Sequence, residues 1–226
     1  IKNKEFNSGF LNLIKELDNL DLDLRFRISS IEPNLISDEI ISFISTSKKF
    51  VHHFHIPLQS GSDSILRLMR RRYDSKLYKS RIEKINKLMP DACIGVDVIV
   101  GFPGENDDLF LESLNFLDSL NVSYFHVFTY SERDNTHAIS LPNIVEPNVR
   151  TKRSKLLRLL SSKKKASFYE RNRGSIQDVL FESEEKNGYI EGFSSNYIRF
   201  RRPWDPSITG TIVKSMFVDI DSDGFA

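Results

Sequence analysis

Apolar and polar positions alternate along this chain in two rhythms, one helical and one strand-like, as far as residue 131. Between residues 5 and 20, Phe6, Phe10, Leu13, Ile14 and Leu17 recur at helical spacing. Arg25 to Ser29 reads as a short strand, closed by Ser30, Glu32 and Pro33. A helix is predicted from Ser37 as N-cap, with Asp38 and Glu39 in its first turn and Ile36 and Ile41 placed for a hydrophobic staple. The next strand ends at Leu58, and Ser62 or Asp63 opens the helix after it. Asp74 or Ser75 caps a further helix that carries Tyr78, Ile82, Ile85 and Met89 on one face and stops at Pro90. Ile94 to Gly101 is a nearly continuous apolar run, as in parallel sheets covered on both faces. Asn106, Asp107 and Asp108 open a helix with Phe110, Leu114 and Leu117 inward, and Tyr124 to Tyr130 is the fourth strand. Strand–helix units with polar residues at each strand's carboxyl end predict an α/β fold over residues 1–148, part of a βα (TIM-like) barrel.

After residue 131 the pattern changes. A proline-containing connection, Leu141 to Pro147, leads into a basic linking helix at residues 149–173. It carries Arg150, Lys152, Arg153, Lys155, Arg158, Lys163, Lys164, Lys165, Arg171 and Arg173, with Glu170 its one acid. From residue 174 to 226 short β-rich runs (176–181, 189–193, 197–201 and 210–220) are separated by turn residues such as Asn187-Gly188 and Pro203. Such spacing predicts a small all-β barrel of a kind that often binds oligonucleotides.

Composition narrows the classes. With 226 residues, 39% hydrophobic and 28% charged, the chain has the make-up of a globular protein with one sizeable core and a small module. A net charge of +1 excludes global polyanion binding, although the basic helix concentrates charge locally. The lone Cys93 excludes an internal disulfide framework and fits a reducing cytosol. No apolar run approaches a membrane span and no signal peptide is visible. The first residue is Ile1, inside a helical pattern, so the expectation is a piece of a longer protein.

Chemistry concentrates at the strand ends. HHFHIPLQSGSD (52–63) and DVIVGFPGE (97–105) both run from a strand into a glycine-containing polar turn. Gly101 and Gly104 permit a tight turn and a close backbone approach to a flat ligand. A glycine turn of this kind also serves an ordinary parallel-sheet crossover. Gln59, Ser60 and Ser62 offer donors and acceptors for ribose hydroxyls or an amino-acid group, or else cap the following helix. Arg70, Arg71 and Arg72 can clamp a carboxylate or phosphate, or form a solvated face. His52, His53 and His55 have the residue type of metal ligands. On a strand, 53 and 55 share one face and 52 lies opposite. With no cysteine or carboxylate read beside them they are assigned a structural role, and no metal site is expected. Cys93 reads as a small apolar residue.

Together HHFHIPLQSGSDSILRLMRRRY, DVIVGFPGENDDLF and YFHVFTYSERDNTHA, with RISSIEP at 27–33, resemble the tRNA methylthiotransferases of the radical-SAM superfamily. The tail IQDVLFESEEKNGYIEGFSSNYIRF resembles the family's C-terminal TRAM domain, a small RNA-binding β-barrel. HVFTYSERDNTHA most resembles the branch acting on threonylcarbamoyl-adenosine beside the anticodon; relatives modify isopentenyl-adenosine or a ribosomal-protein aspartate. The resemblance implies S-adenosyl-L-methionine (SAM) cleaved at a 4Fe–4S cluster, sulfur insertion at adenine C2, and methylation by a second SAM. It carries the SAM-contacting motifs onto Ser29, Ser30, Gln59, Ser60, Arg71, Ile99, Gly101 and Glu105. Gln59 and Ser60 would meet the ribose or methionyl part, Ile99 and Gly101 the adenine, and Arg71 the carboxylate, with Glu105 ordering the turn. For tRNA, Lys163, Lys164, Lys165, Arg199, Arg201 and Arg202 supply phosphate contacts and Tyr197 a stacking surface, set against a solvated helix face and a core-packed barrel.

One departure is large. The family's CxxxCxxC motif and the further cysteines of its second cluster are not in this sequence, so this chain is not expected to ligate a cluster. The expectation is the C-terminal part of such an enzyme, inactive by itself, whose partners are tRNA and the missing N-terminal half. The alternatives are a non-catalytic RNA-binding remnant and an unrelated βα enzyme of a phosphorylated metabolite.

Overall fold

The computed structural model describes residues 9–22, 24–222 and 224–226. Phe6 of the N-terminal apolar stripe lies outside the described residues; later positions form α1 (Phe10–Asp18), which buries Ile14. Parallel strands β1 (Phe26–Ile28), β2 (Phe50–His55), β3 (Cys93–Val100) and β4 (Tyr124–Thr129) make one sheet in chain order. Helix α2 (Asp38–Ile44) joins β1 to β2, α3 (Asp63–Leu68) and α4 (Ser75–Leu88) join β2 to β3, and α5 (Asp107–Ser119) joins β3 to β4. Unreversed strand order is the winding of a βα barrel, not of a doubly wound sheet. The α/β fold expected from the periodicity is present.

Local chemistry sets the helix starts. Ser37, Asp74 and Asn106 accept bonds from the backbone N–H groups of Ile40, Leu77 and Leu109, satisfying first-turn donors that otherwise lack partners. Ser62 also stands at a cap position, but its hydroxyl donates to Glu112 Oε2 at 2.7 Å instead. Ile94, Val96, Val98 and Val100 are at most 1% exposed on one side of β3. There they share a core with Tyr78, Ile82 and Ile85 of α4 and Leu117 of α5.

Helix α6 (Pro147–Asn172) begins at Pro147, two residues before the expected start at 149, because proline suits the first helical position. It lies along β4: Ser161 Oγ accepts from Phe125 N at 2.8 Å and donates to Phe125 O at 3.0 Å. Strands β5 (Ile176–Lys186), β6 (Tyr189–Ser194), β7 (Arg199–Pro203) and β8 (Ile212–Met216) follow as an antiparallel sheet of order β7-β6-β5-β8. Asn187 and Gly188, at φ 53° and 81°, form the two-residue turn between β5 and β6 that their types favour. Tyr197 was expected inside a strand but turns the chain before β7 at φ 66°. A second cluster of buried residues joins Phe181, Ile190, Phe200 and Phe217 to Phe168 and Tyr169 of α6 and to Cys93 of the parallel sheet. No described helix is long and apolar enough to cross a membrane.

Candidate functional site

The apolar face of the parallel sheet is turned to the helices; the opposite face is polar. Side chains alternate along a strand, and the register pairs His53 with Cys93, His55 with Gly95, Gly95 with Tyr124 and Asp97 with His126. The polar face is therefore built in layers from the amino to the carboxyl ends of the strands. In the first, His53 Nε2 meets Tyr124 Oη at 3.1 Å, and Tyr197 stacks on the imidazole with centroids 4.2 Å apart. Gly95 leaves room for the Tyr124 ring, since a Cβ there would lie 2.5 Å from Cζ. Burial, reinforced by Arg27, His55 and His126, takes the His53 pKa from 6.5 down to about 3, so this imidazole is neutral. In the second layer Asp97 Oδ1 lies 2.7 Å from His55 Nε2 and 3.2 Å from His126 Nδ1. The sequence reading saw no carboxylate beside the histidines; the next strand supplies one. His52, on the opposite face, pairs with Asp91 at 3.2 Å.

Beyond these layers a cavity of about 760 Å³ opens at the carboxyl ends of the strands. Gln59, Arg71 and Ile99 line it, as do Asp97, Phe128 and Arg133. Gln59 sits at φ 73°, unusual for a residue with a side chain. Its N–H donates to Asp97 O at 2.8 Å and its carbonyl accepts from Ile99 N at 2.9 Å. The backbone is thus pinned to β3 while the side chain faces the cavity. Arg71 Nη1 donates to Glu32 Oε1 at 3.2 Å. Tyr73 and Tyr78 donate to the carbonyls of Leu58 and Ile56 at 3.1 and 2.8 Å, which fixes the approach to Gln59.

Other residues expected at the ligand lie elsewhere. Ser60 is 1% exposed and accepts from Ser62 N inside the turn. Ser29 and Ser30 are exposed after β1, and Ser30 borders a separate hollow with Glu32 and Leu35. Gly101 and Glu105 form a buried strut behind the cavity. Glu105 Oε1 accepts from Gly101 N at 2.9 Å and from Arg153 Nη1 at 2.7 Å. Arg153 also reaches Asp107 Oδ1 at 2.7 Å. Burial pushes the Glu105 carboxyl upward, and the Gly101 N–H and Arg153 pull it down. Gly101 has φ +75°, and a Cβ on it would lie 2.3 Å from Cγ of Arg150. Arg150 in turn holds the carbonyls of Val145 and Tyr130 at 2.7 and 2.8 Å.

The residues expected at RNA are divided. Lys163 and Arg202 are exposed. Lys164 is committed to the carbonyls of Asp118 and Leu120 at 2.6 Å, and burial lowers its pKa. Arg199 stacks on Phe225 and faces Glu191 at 3.5 Å, while Arg201 pairs with Asp221 at 2.6 Å. Lys165, Arg199 and Tyr197 line a second cavity of about 330 Å³ together with Tyr124 and His126. Tyr197 lies between His53 and Phe193, the latter at 4.6 Å, with the Arg27 guanidinium 4.7 Å from its ring.

A parallel sheet wound in chain order, with a ligand-sized cavity at its carboxyl edge, is an architecture that many βα enzymes share. The chain belongs to the radical SAM superfamily, whose model matches residues 3–117. It is similar to the threonylcarbamoyladenosine tRNA methylthiotransferase MtaB of Bacillus subtilis (strain 168), at 39% identity over 93% of this chain and 48% of the relative. It is also similar to the tRNA-2-methylthio-N(6)-dimethylallyladenosine synthase of Vesicomyosocius okutanii subsp. Calyptogena okutanii (strain HA), at 35% identity over 90% of this chain and 46% of that protein. The chain thus spans about half the length of these curated relatives. Among solved structures, coproporphyrinogen III oxidase from Escherichia coli aligns with a TM-score of 0.46 and 15% identity, covering 71% of this chain and 35% of that one.

An iron–sulfur cluster, which the superfamily implies, does not fit the residues present. Cys93 is the one cysteine of the chain and is 2% exposed, and burial pushes its thiol up to about 12. A neutral thiol without companion cysteines cannot hold such a cluster.

The geometry makes two predictions. Arg153→Met, which leaves Glu105 buried without its partner, is expected to lower unfolding free energy by about 3–5 kcal/mol, measured with urea; a loss below about 1 kcal/mol would show that the strut is not needed. The second concerns His53, which binds a proton near 6.5 when unfolded but only near 3 when folded. Its contribution to stability is therefore complete above 6.5 and is lost as pH falls from 6.5 towards 3. The slope is at most about 1.4 kcal/mol per pH unit. His53→Phe should flatten the fall in stability between about pH 4 and 6; an unchanged slope would assign that proton uptake to another group.

Proposed function

We propose that this chain is the C-terminal part of a tRNA methylthiotransferase that adds a methylthio group to C2 of threonylcarbamoyl-adenosine beside the anticodon. In this reading residues 1–148 form part of the SAM-binding barrel, 149–173 the linking helix and 174–226 a TRAM-like RNA-binding module. The single observation that carries the reading is Gln59, held in a left-handed backbone conformation with its amide side chain lining the cavity beside Ile99 and Arg71. When bound, SAM supplies the radical and methyl-donor chemistry. Gln59 would hydrogen-bond its ribose or methionyl group, Ile99 would cover the adenine, and Arg71 would pair with the carboxylate. The Glu105–Arg153 strut would hold the turn without touching SAM. The adenosine substrate is supported by the 39% identity with the Bacillus relative that bears that name. Cluster ligation would fall to cysteines outside this chain, on the N-terminal half of the same enzyme.

The substrate is tested by returning the complete gene to a strain lacking it and digesting the tRNA for mass spectrometry. Methylthiolated threonylcarbamoyl-adenosine should reappear; restoration only on isopentenyl-adenosine would overturn the substrate assignment. In the reconstituted complete enzyme, Gln59→Ala should weaken SAM binding about 5- to 30-fold, the worth of one or two hydrogen bonds. Unchanged affinity would remove Gln59 from the site.

A further inference from the structure

We propose that His55, Asp97 and His126 form a binding site for one divalent first-row transition-metal ion, separate from any iron–sulfur cluster and facing the same cavity. Their donor atoms, His55 Nε2, Asp97 Oδ1 and His126 Nδ1, all lie within 4.8 Å of one another. The carboxylate oxygen is 2.7 Å from one imidazole nitrogen and 3.2 Å from the other. Metal–ligand bonds of about 2.0–2.2 Å set donors on a tetrahedral ion roughly 3.4 Å apart, so the two Asp97 edges already approach that spacing. Only the imidazole–imidazole edge has to close. His126 can supply that motion, because its side chain is 51% exposed whereas those of His55 and Asp97 are 20% and 19% exposed.

The three residues come from three adjacent strands, and the sheet register presents them together on one face. Two imidazoles and one carboxylate match the ligand sets of open zinc and iron(II) sites, which leave positions for a further ligand. Of the three, Asp97 lines the large cavity, while His126 borders the smaller one beside Tyr124. The neighbouring layer tightens the arrangement: the His126 ring rests on Tyr124 at 5.1 Å, and Tyr124 is tied to His53. An ion held there would offer a Lewis-acidic position to an anionic oxygen or a thiolate sulfur. The proposal does not depend on the methylthiotransferase reading.

The test is titration of the metal-free protein with cobalt(II), followed by visible absorption and by displacement with zinc(II). One equivalent should produce d–d bands typical of mixed nitrogen and oxygen coordination, and zinc should remove them. His126→Ala and Asp97→Asn should each weaken binding by about 10- to 100-fold or more, with circular dichroism unchanged. His52→Ala, which removes the imidazole that meets Asp91 on the opposite face, should leave the bands intact. Absence of a stoichiometric band, or a band that survives both ligand substitutions, would overturn the site and leave the cluster a hydrogen-bonded triad.

Discussion

The buried pair of Glu105 and Arg153 is the contact on which the remaining architecture turns. Glu105 closes the glycine turn by taking the Gly101 N–H, and Arg153 ties that turn to α6 through one guanidinium that also reaches Asp107. A pair of this kind contributes little net stability compared with an apolar substitute, but it permits one arrangement and penalises others. Here the arrangement is the docking angle of α6. Once it is set, Arg150 falls against Gly101, Arg158 reaches the carbonyl of Val127 at 3.1 Å, and Ser161 bridges Phe125. The helix then delivers Phe168 and Tyr169 to the second core. The turn behind the cavity and the position of the antiparallel sheet thus depend on one carboxylate.

The two sheets also meet directly, through an aromatic joint. His53 is sandwiched by Tyr124 and Tyr197, Arg27 caps Tyr197, and Asn196 donates to the carbonyl of Asp91 at 3.1 Å. A charged imidazole would be costly among these rings, and burial keeps it neutral. The joint uses Tyr197, which sequence pattern alone assigns to base stacking. Likewise the basic helix is not one uniform positive face. Arg150 and Arg153 are buried and bound to carbonyls and carboxylates, whereas Lys152, Lys155, Lys163 and Lys165 are exposed.

Periodicity made the architecture legible, because each helix start carried its own capping chemistry at Ser37, Asp74 and Asn106. The Asn187-Gly188 turn was equally local. What the pattern concealed was pairing between strands. The run from Ile94 to Gly101 looks almost continuously apolar, yet Cys93, Gly95 and Asp97 form an inner row distinct from the valines. Asp97 belongs to His55 and His126 only once the register is known, and no spacing along the chain encodes a register across crossovers of this length. The family resemblance placed Glu105 at its turn, and in the structure it accepts the Gly101 N–H. Its partner was not legible, since Arg153 lies 48 residues away inside a run of similar cations. Ser60 and Gly101 were assigned to the ligand with their motifs; in the structure Ser60 Oγ accepts from Ser62 N and the Gly101 N–H donates to Glu105.

The layering of the inner face follows from the same alternation. Apolar side chains on the outer face bind the sheet to its helices, which leaves the inner face free to carry polar groups without cost to that core. Going along the strands, the neutral aromatic joint comes first, the imidazole–carboxylate cluster second and the cavity third. Each layer shields the next: Tyr124 fills the space above Gly95 and separates the joint from Asp97, while Ile99 and Phe128 rise beyond Asp97 into the cavity wall. The cluster itself is graded in exposure, with the His55 and Asp97 side chains about one fifth exposed and that of His126 half exposed. The strand order therefore does more than build a wall. It orders the inner face from the aromatic joint, through the imidazole–carboxylate cluster, to the open cavity.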